Sequence, residues 1–76
     1  MLTLDKLEVG QLAYVLSLAG DDSVTQRLTE MGLFEGEEVE IVGFAPLGDP
    51  MEIRLRDYCL SLRREEAARV RVTPVL

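Results

Sequence analysis

The sequence contains no histidine and no tryptophan, a single cysteine, Cys59, and only two phenylalanines and two tyrosines. Without histidine, the commonest general base near neutral pH is missing. Ser17, Ser23 and Ser61 have no base near them in sequence, and Cys59 has no imidazole to activate it, so no enzyme is expected. A lone cysteine excludes an intrachain disulfide and fits a reducing compartment. Zinc or ferrous iron would need histidines or cysteine pairs, and neither is present. The carboxylates of Glu35, Glu37, Glu38 and Glu40 lack the spaced loop of a calcium site. No metal or other cofactor is therefore expected within one chain. "GFAPLG" lacks the Gly-Lys-Ser/Thr ending of a phosphate loop.

Long apolar runs are also missing. None approaches the roughly 18 residues that span a bilayer, and "MLTLDKLEVG" lacks the basic region and apolar stretch of a signal peptide. The expectation is a cytoplasmic protein with no direct membrane insertion. Positive charge is scarce: eight Lys and Arg against fourteen Asp and Glu leave a net charge of -6. That weighs against a nucleic-acid backbone as partner. The basic residues nevertheless gather late, at Arg63, Arg64, Arg69 and Arg71, which leaves docking by charge complementarity open.

What is present is enough for one small fold. The 76 residues are 47% hydrophobic, too apolar for disorder and too few for two cores, so residues 1–76 form a single domain. Its core must come from Leu, Val, Ile and Met. A domain this small buries only about 60% of its unfolded surface. Its modest stability leaves a role for partner contact or weak homo-oligomers.

"LTLDKLEVGQ" reads as a lead-in, with Leu4 and Leu7 at helical spacing and a turn near Gly10. "QLAYVLSL" alternates as a strand that is apolar on both faces, hence well buried or at an interface. Ser23 and Gln26 form a capping-box pattern, Val24, Leu28 and Met31 make one apolar stripe, and Gly32 supplies a left-handed stop. Further strands follow at "VEIV", "MEIRLR" and "CLSL", then one helical turn at "RREEAA", then a last strand at "RVRVTPV". Five short strands, mostly hairpin-connected, with one short helix suggest a mainly β fold, a small barrel more than an open sheet.

One register can be specified. Pairing Glu40 with Arg54 joins Val39 to Leu55 and Ile41 to Ile53 on the inner face, and Glu38 to Arg56 outside. This register is symmetric about Leu47 and places "GFAPLGDP" at the hairpin tip. Pro46 and Pro50 fix their own φ and push Ala45 and Asp49 toward extended conformations, while Gly48 can take a positive φ. The tip also carries Phe44 and Leu47. Leu47 either folds back as a lid over the barrel end or docks a partner.

Across nearly the whole chain the sequence resembles the FeoA family. The likeness rests on Arg27-Leu28, Met31-Gly32-Leu33, Gly36, the "APLGDP" of Ala45 to Pro50, the "LSLR" of Leu60 to Arg63, and Glu66-Ala67. Where family members often carry glycine, this chain has Asp57, and a left-handed turn residue is expected there. The resemblance implies an SH3-like β-barrel with an inserted helix. It also implies an accessory role in bacterial ferrous iron uptake, with the cytosolic GTP-binding domain of the FeoB transporter as partner. The binding residues expected on this basis are Phe44, Ala45, Pro46, Leu47, Gly48, Asp49 and Pro50, with Arg27 and Arg63 as nearby polar contacts. Related domains in metal-dependent repressors suggest a second reading, a regulatory module in which Cys59 or carboxylates of two chains assemble a metal site.

Overall fold

In the computed structural model, which describes residues 2–75, five antiparallel strands form one sheet in the order β4-β3-β2-β1-β5. They are β1 (Leu12–Leu18), β2 (Glu38–Phe44), β3 (Met51–Leu55), β4 (Tyr58–Leu62) and β5 (Val70–Pro74). An eight-residue helix α1 (Ser23–Glu30) joins β1 to β2, and a single-turn helix α2 (Arg64–Ala67) joins β4 to β5. Inward side chains of all five strands meet in one cluster with Leu4, Leu7, Leu28, Leu33 and Ala67. The sheet thus rolls around a single core, as a mainly β, SH3-like fold should. Its hydrogen-bonded ladder ends at β4 on one side and β5 on the other.

The expected inner face is the observed one. Val39 and Ile41 of β2, Met51, Ile53 and Leu55 of β3, Leu62 of β4, and Val70 and Val72 of β5 are all buried. The lead-in closes as a 3-10 turn over Leu4–Lys6 that buries Leu4 and Leu7. In β1 only Ala13 and Val15 are buried, so its second apolar face opens to solvent at Tyr14 and Leu16.

α1 starts one residue earlier than its sequence pattern implies. Asp22, not Ser23, is the N-cap, and its carboxylate accepts from the Thr25 amide at 3.3 Å. The capping box at Ser23 and Gln26 does not form. Arg69 decides the choice: its Nη1 donates to both Asp22 oxygens at 2.7 Å, a contact that serine could not match. Of the expected stripe, Leu28 is fully buried, while Val24 and Met31 pack partly against the core and Thr25 takes the remaining buried position. At the far end Gly32 does stop the helix, with φ of 107°. The Leu33 amide reaches the Leu28 carbonyl at 3.2 Å and the Gly32 amide reaches Thr29 at 3.0 Å, the paired bonds of a Schellman cap.

The β2–β3 register agrees with expectation at its inner end: Val39 faces Leu55, Glu40 faces Arg54 and Ile41 faces Ile53. Arg54 and Glu40 make an ion pair across it. Nearer the tip, a bulge between Ile41 and Gly43 moves the register by one, so Gly43 faces Glu52 and Phe44 faces Met51. The hairpin is therefore not symmetric about Leu47. The expected Glu38–Arg56 pair is also replaced. Arg56 leaves the ladder with φ of 53° and donates from Nη2 to Glu37 at 2.6 Å. Arg56, not Asp57, is the left-handed residue of the two-residue turn that pairs Leu55 with Tyr58. A two-residue hairpin needs positive φ at its first central position when the second has none, and that position is 56.

Candidate functional site: the β2–β3 tip and the groove beside β4

The tip is a defined turn. The Gly48 amide donates to the Ala45 carbonyl at 2.7 Å, which puts Pro46 at the second turn position, where its fixed φ fits. The Ala45 amide then closes the loop on the Pro50 carbonyl at 2.9 Å. Gly48 takes the expected positive φ, 87°, and the Asp49–Pro50 peptide is cis. The two large apolar residues divide their work. Phe44 packs against the core, whereas Leu47 is 96% exposed and covers none of the core among the described residues. The lid reading of Leu47 is overturned, because the turn aims its side chain outward.

Three tethers hold the tip from outside the hairpin. The Asp49 carboxylate accepts from the Arg64 backbone amide at 3.1 Å, so it caps α2 from a distance in sequence. The Arg64 guanidinium donates to the Gly48 carbonyl and to the Asp5 carbonyl, each at 3.2 Å, and lies over the Phe44 ring. Sequence reasoning missed Arg64. No local pattern marks it, since its partners are 15, 16 and 59 positions away.

Arg27 and Arg63 do come together with the base of the tip. They line a depression of about 430 Å³ with Pro50, Met31, Ser61 and Glu66. Arg27 forms an ion pair with Glu66. The same carboxylate accepts from the Arg63 backbone amide at 2.9 Å, leaving the Arg63 side chain without an ion pair among the described residues. Leu47 is not among the residues that line this depression. A further apolar patch, also unmarked by motif, surrounds Leu16 and Phe34, which are 46% and 51% exposed.

Two carboxylates are held below their usual range. Arg69 hydrogen-bonds Asp22 and lowers its pKa, helped by the Thr25 amide, and Arg56 does the same for Glu37. Both pairs join separate elements and stabilise the scaffold away from the tip. Among the described residues, no three His, Cys, Asp or Glu side chains converge to hold a metal, and Cys59 stands exposed. That donor set does not fit a transition-metal centre within one chain. No helix among the described residues is long and apolar enough to cross a membrane.

Comparison with known proteins adds to this geometry. Residues 2–74 match the FeoA domain. A fusion of Fe(2+) transport protein A with the Fe(2+) transporter FeoB, from Porphyromonas gingivalis, is 39% identical over 91% of this chain. The chain spans 8% of that fusion protein. The solution structure of the FeoA protein of Chlorobium tepidum superposes with a TM-score of 0.90 at 36% identity, covering 99% of this chain and 71% of the other. The crystal structure of Stenotrophomonas maltophilia FeoA complexed with zinc, described as a prokaryotic SH3 domain protein, gives 0.86 at 34% identity, covering 96% and 91%. An SH3-like sheet, a family match over residues 2–74 and relatives 34–39% identical over more than nine-tenths of the chain make it a member of the FeoA domain family.

Proposed function

We propose that this protein is a non-enzymatic accessory of ferrous iron transport that works on the cytoplasmic side by docking onto the GTP-binding domain of FeoB. The observation that carries this reading is the tip. Leu47 projects almost fully into solvent from a turn fixed by Pro46, Gly48 and the Arg64 tethers. An exposed leucine on a preorganised loop gains apolar contact on docking with little ordering cost. Phe44, Ala45, Asp49 and Pro50 form the frame, and Arg27 and Arg63 supply polar contacts at its base. The relative that joins an FeoA part to FeoB in one polypeptide supports the choice of partner.

Leu47→Asp is the direct test, because a side chain this exposed can be changed without disturbing the core. The expected outcome is an unaltered melting curve with weakened capture of the FeoB cytosolic domain and reduced iron uptake. A folded variant with unchanged capture and uptake would sink the proposal. GTP hydrolysis by the FeoB domain, measured with and without this protein, shows whether docking alters the nucleotide cycle.

A further inference from the structure

The two edges of the sheet are treated differently. At the β5 edge, Thr3 bridges to Arg71 and the Val72 amide donates to the Leu2 carbonyl at 3.1 Å, so the lead-in covers it. The strand also carries Arg71 and Pro74, which resist further pairing. β4 has none of these protections. Its sequence, Tyr58-Cys59-Leu60-Ser61-Leu62, holds no charge and no proline in a chain that is 29% charged. The two-residue turn makes Leu55 and Tyr58 a hydrogen-bonded pair, so Leu60 and Leu62 also bond to β3. The N–H and C=O groups of Cys59 and Ser61 must then point away from the sheet. Neither residue's backbone finds another partner among the described residues.

Ser61 also lines the depression already described, whose other wall carries Arg27 and Met31 of the α1 end. An open strand edge facing a helix end across a groove is the setting for β-strand addition, in which backbone bonds give affinity and flanking side chains give selectivity. We infer that the groove between β4 and α1 takes an extended, acidic segment of a partner protein, which pairs with Cys59 and Ser61 and places a carboxylate at Arg63. The charge argument selects the occupant. In a chain of net charge -6, this groove holds two arginines against one glutamate: Glu66 pairs with Arg27, and the Arg63 side chain, without an ion pair among the described residues, is the cation left over. A second copy of the chain would bring another six negative charges. At about 430 Å³, the depression has room for a few residues of extended chain. The inference goes beyond tip docking at Leu47 and does not require FeoB to be the source of the segment.

The experiment is an NMR titration of the full chain, labelled with 15N, against a pool of blocked pentapeptides of pattern Val-Xaa-Glu-Xaa-Val. Saturable shifts centred on the Cys59 and Ser61 amides are expected. The corresponding lysine pool should bind about fivefold more weakly, the scale of one exposed ion pair. Arg63→Glu should reverse that preference. N-methylation of the central peptide amides should abolish binding, a control that leaves the protein untouched. No shifts at millimolar peptide, equal binding of Glu and Lys pools, or undiminished binding of N-methylated peptide would overturn the inference. So would a sedimentation mass showing that β4 is already occupied by a second copy. Since FeoB is absent from the titration, failure here leaves the Leu47 test standing, and the reverse also holds.

Discussion

The guanidinium carbon of Arg64 lies 5.5 Å from the centroid of the Phe44 ring, stacking the first residue of α2 on the last residue of β2. The same side chain holds the Gly48 and Asp5 carbonyls, so it acts as a clasp between the tip, α2 and the lead-in. Arg64→Ala should leave the sheet intact and cost about 1–2 kcal/mol, the sum of an exposed cation–π contact and weak charged hydrogen bonds. Amide exchange at Leu47 and Gly48 should accelerate more than exchange in β2 and β3. Unchanged exchange at the tip would mean that Pro46 and Gly48 hold it alone.

Gly32 offers a second test. A β-carbon there would fall on the Tyr58 hydroxyl, which donates to the Met31 carbonyl at 2.9 Å, and φ of 107° is strained for any L side chain. Gly32→Ala should destabilise the protein by about 1–3 kcal/mol. In a Tyr58→Phe background the added loss should be smaller, because the clashing atom is gone. Chemical denaturation of the four proteins in this cycle measures the difference.

The hairpin register separates core from surface energetics. Ile53 is fully buried opposite Ile41, so Ile53→Ala should cost about 2–5 kcal/mol, much of the stability of a domain this size. Arg54 and Glu40 form an exposed cross-strand pair, and Arg54→Ala should cost less than about 1 kcal/mol. Urea denaturation midpoints rank the two.

Acid sensitivity follows from Asp22 and Glu37. Both pKa values are lowered on folding from usual values of 3.8 and 4.5 by Arg69 and Arg56 respectively. A depressed folded pKa contributes stability that is present above the unfolded value and is lost as pH falls through the folded one. The melting midpoint should therefore fall as pH drops below 4.5. Arg56→Gln and Arg69→Gln should each remove part of that fall. Since both pairs are solvent-exposed, added salt should have the same sense as mutation.

Much of this fold could be read directly from alternation. Val39, Ile41, Ile53 and Leu55 had to share a face, which excludes one-residue slips, and the opposite charges of Glu40 and Arg54 picked the observed register from those left. The bulge beyond Ile41 escaped, although Gly43 inside an apolar strand is a recognised sign of one. The cap was ambiguous because Asp22 and Ser23 are both good N-caps, and a residue 47 positions away settled it. Arg56 took the left-handed turn position because hairpin length, not residue preference, fixes where positive φ falls. At the site, the motif showed where the tip was and that it was stiff. What no local pattern encodes is the set of tethers from Arg64 that holds the tip to α2 and the lead-in.

Those tethers bear on whether the tip can be transplanted. Its turn is written in residues 45 to 50, but its attachment is written at Asp5 and Arg64, far apart in the chain on either side of the hairpin. A graft of residues 43 to 55 into another scaffold would carry the hairpin pairing and leave its clasp behind. The segment that identifies the family most readily is thus the one that depends most on the rest of the molecule.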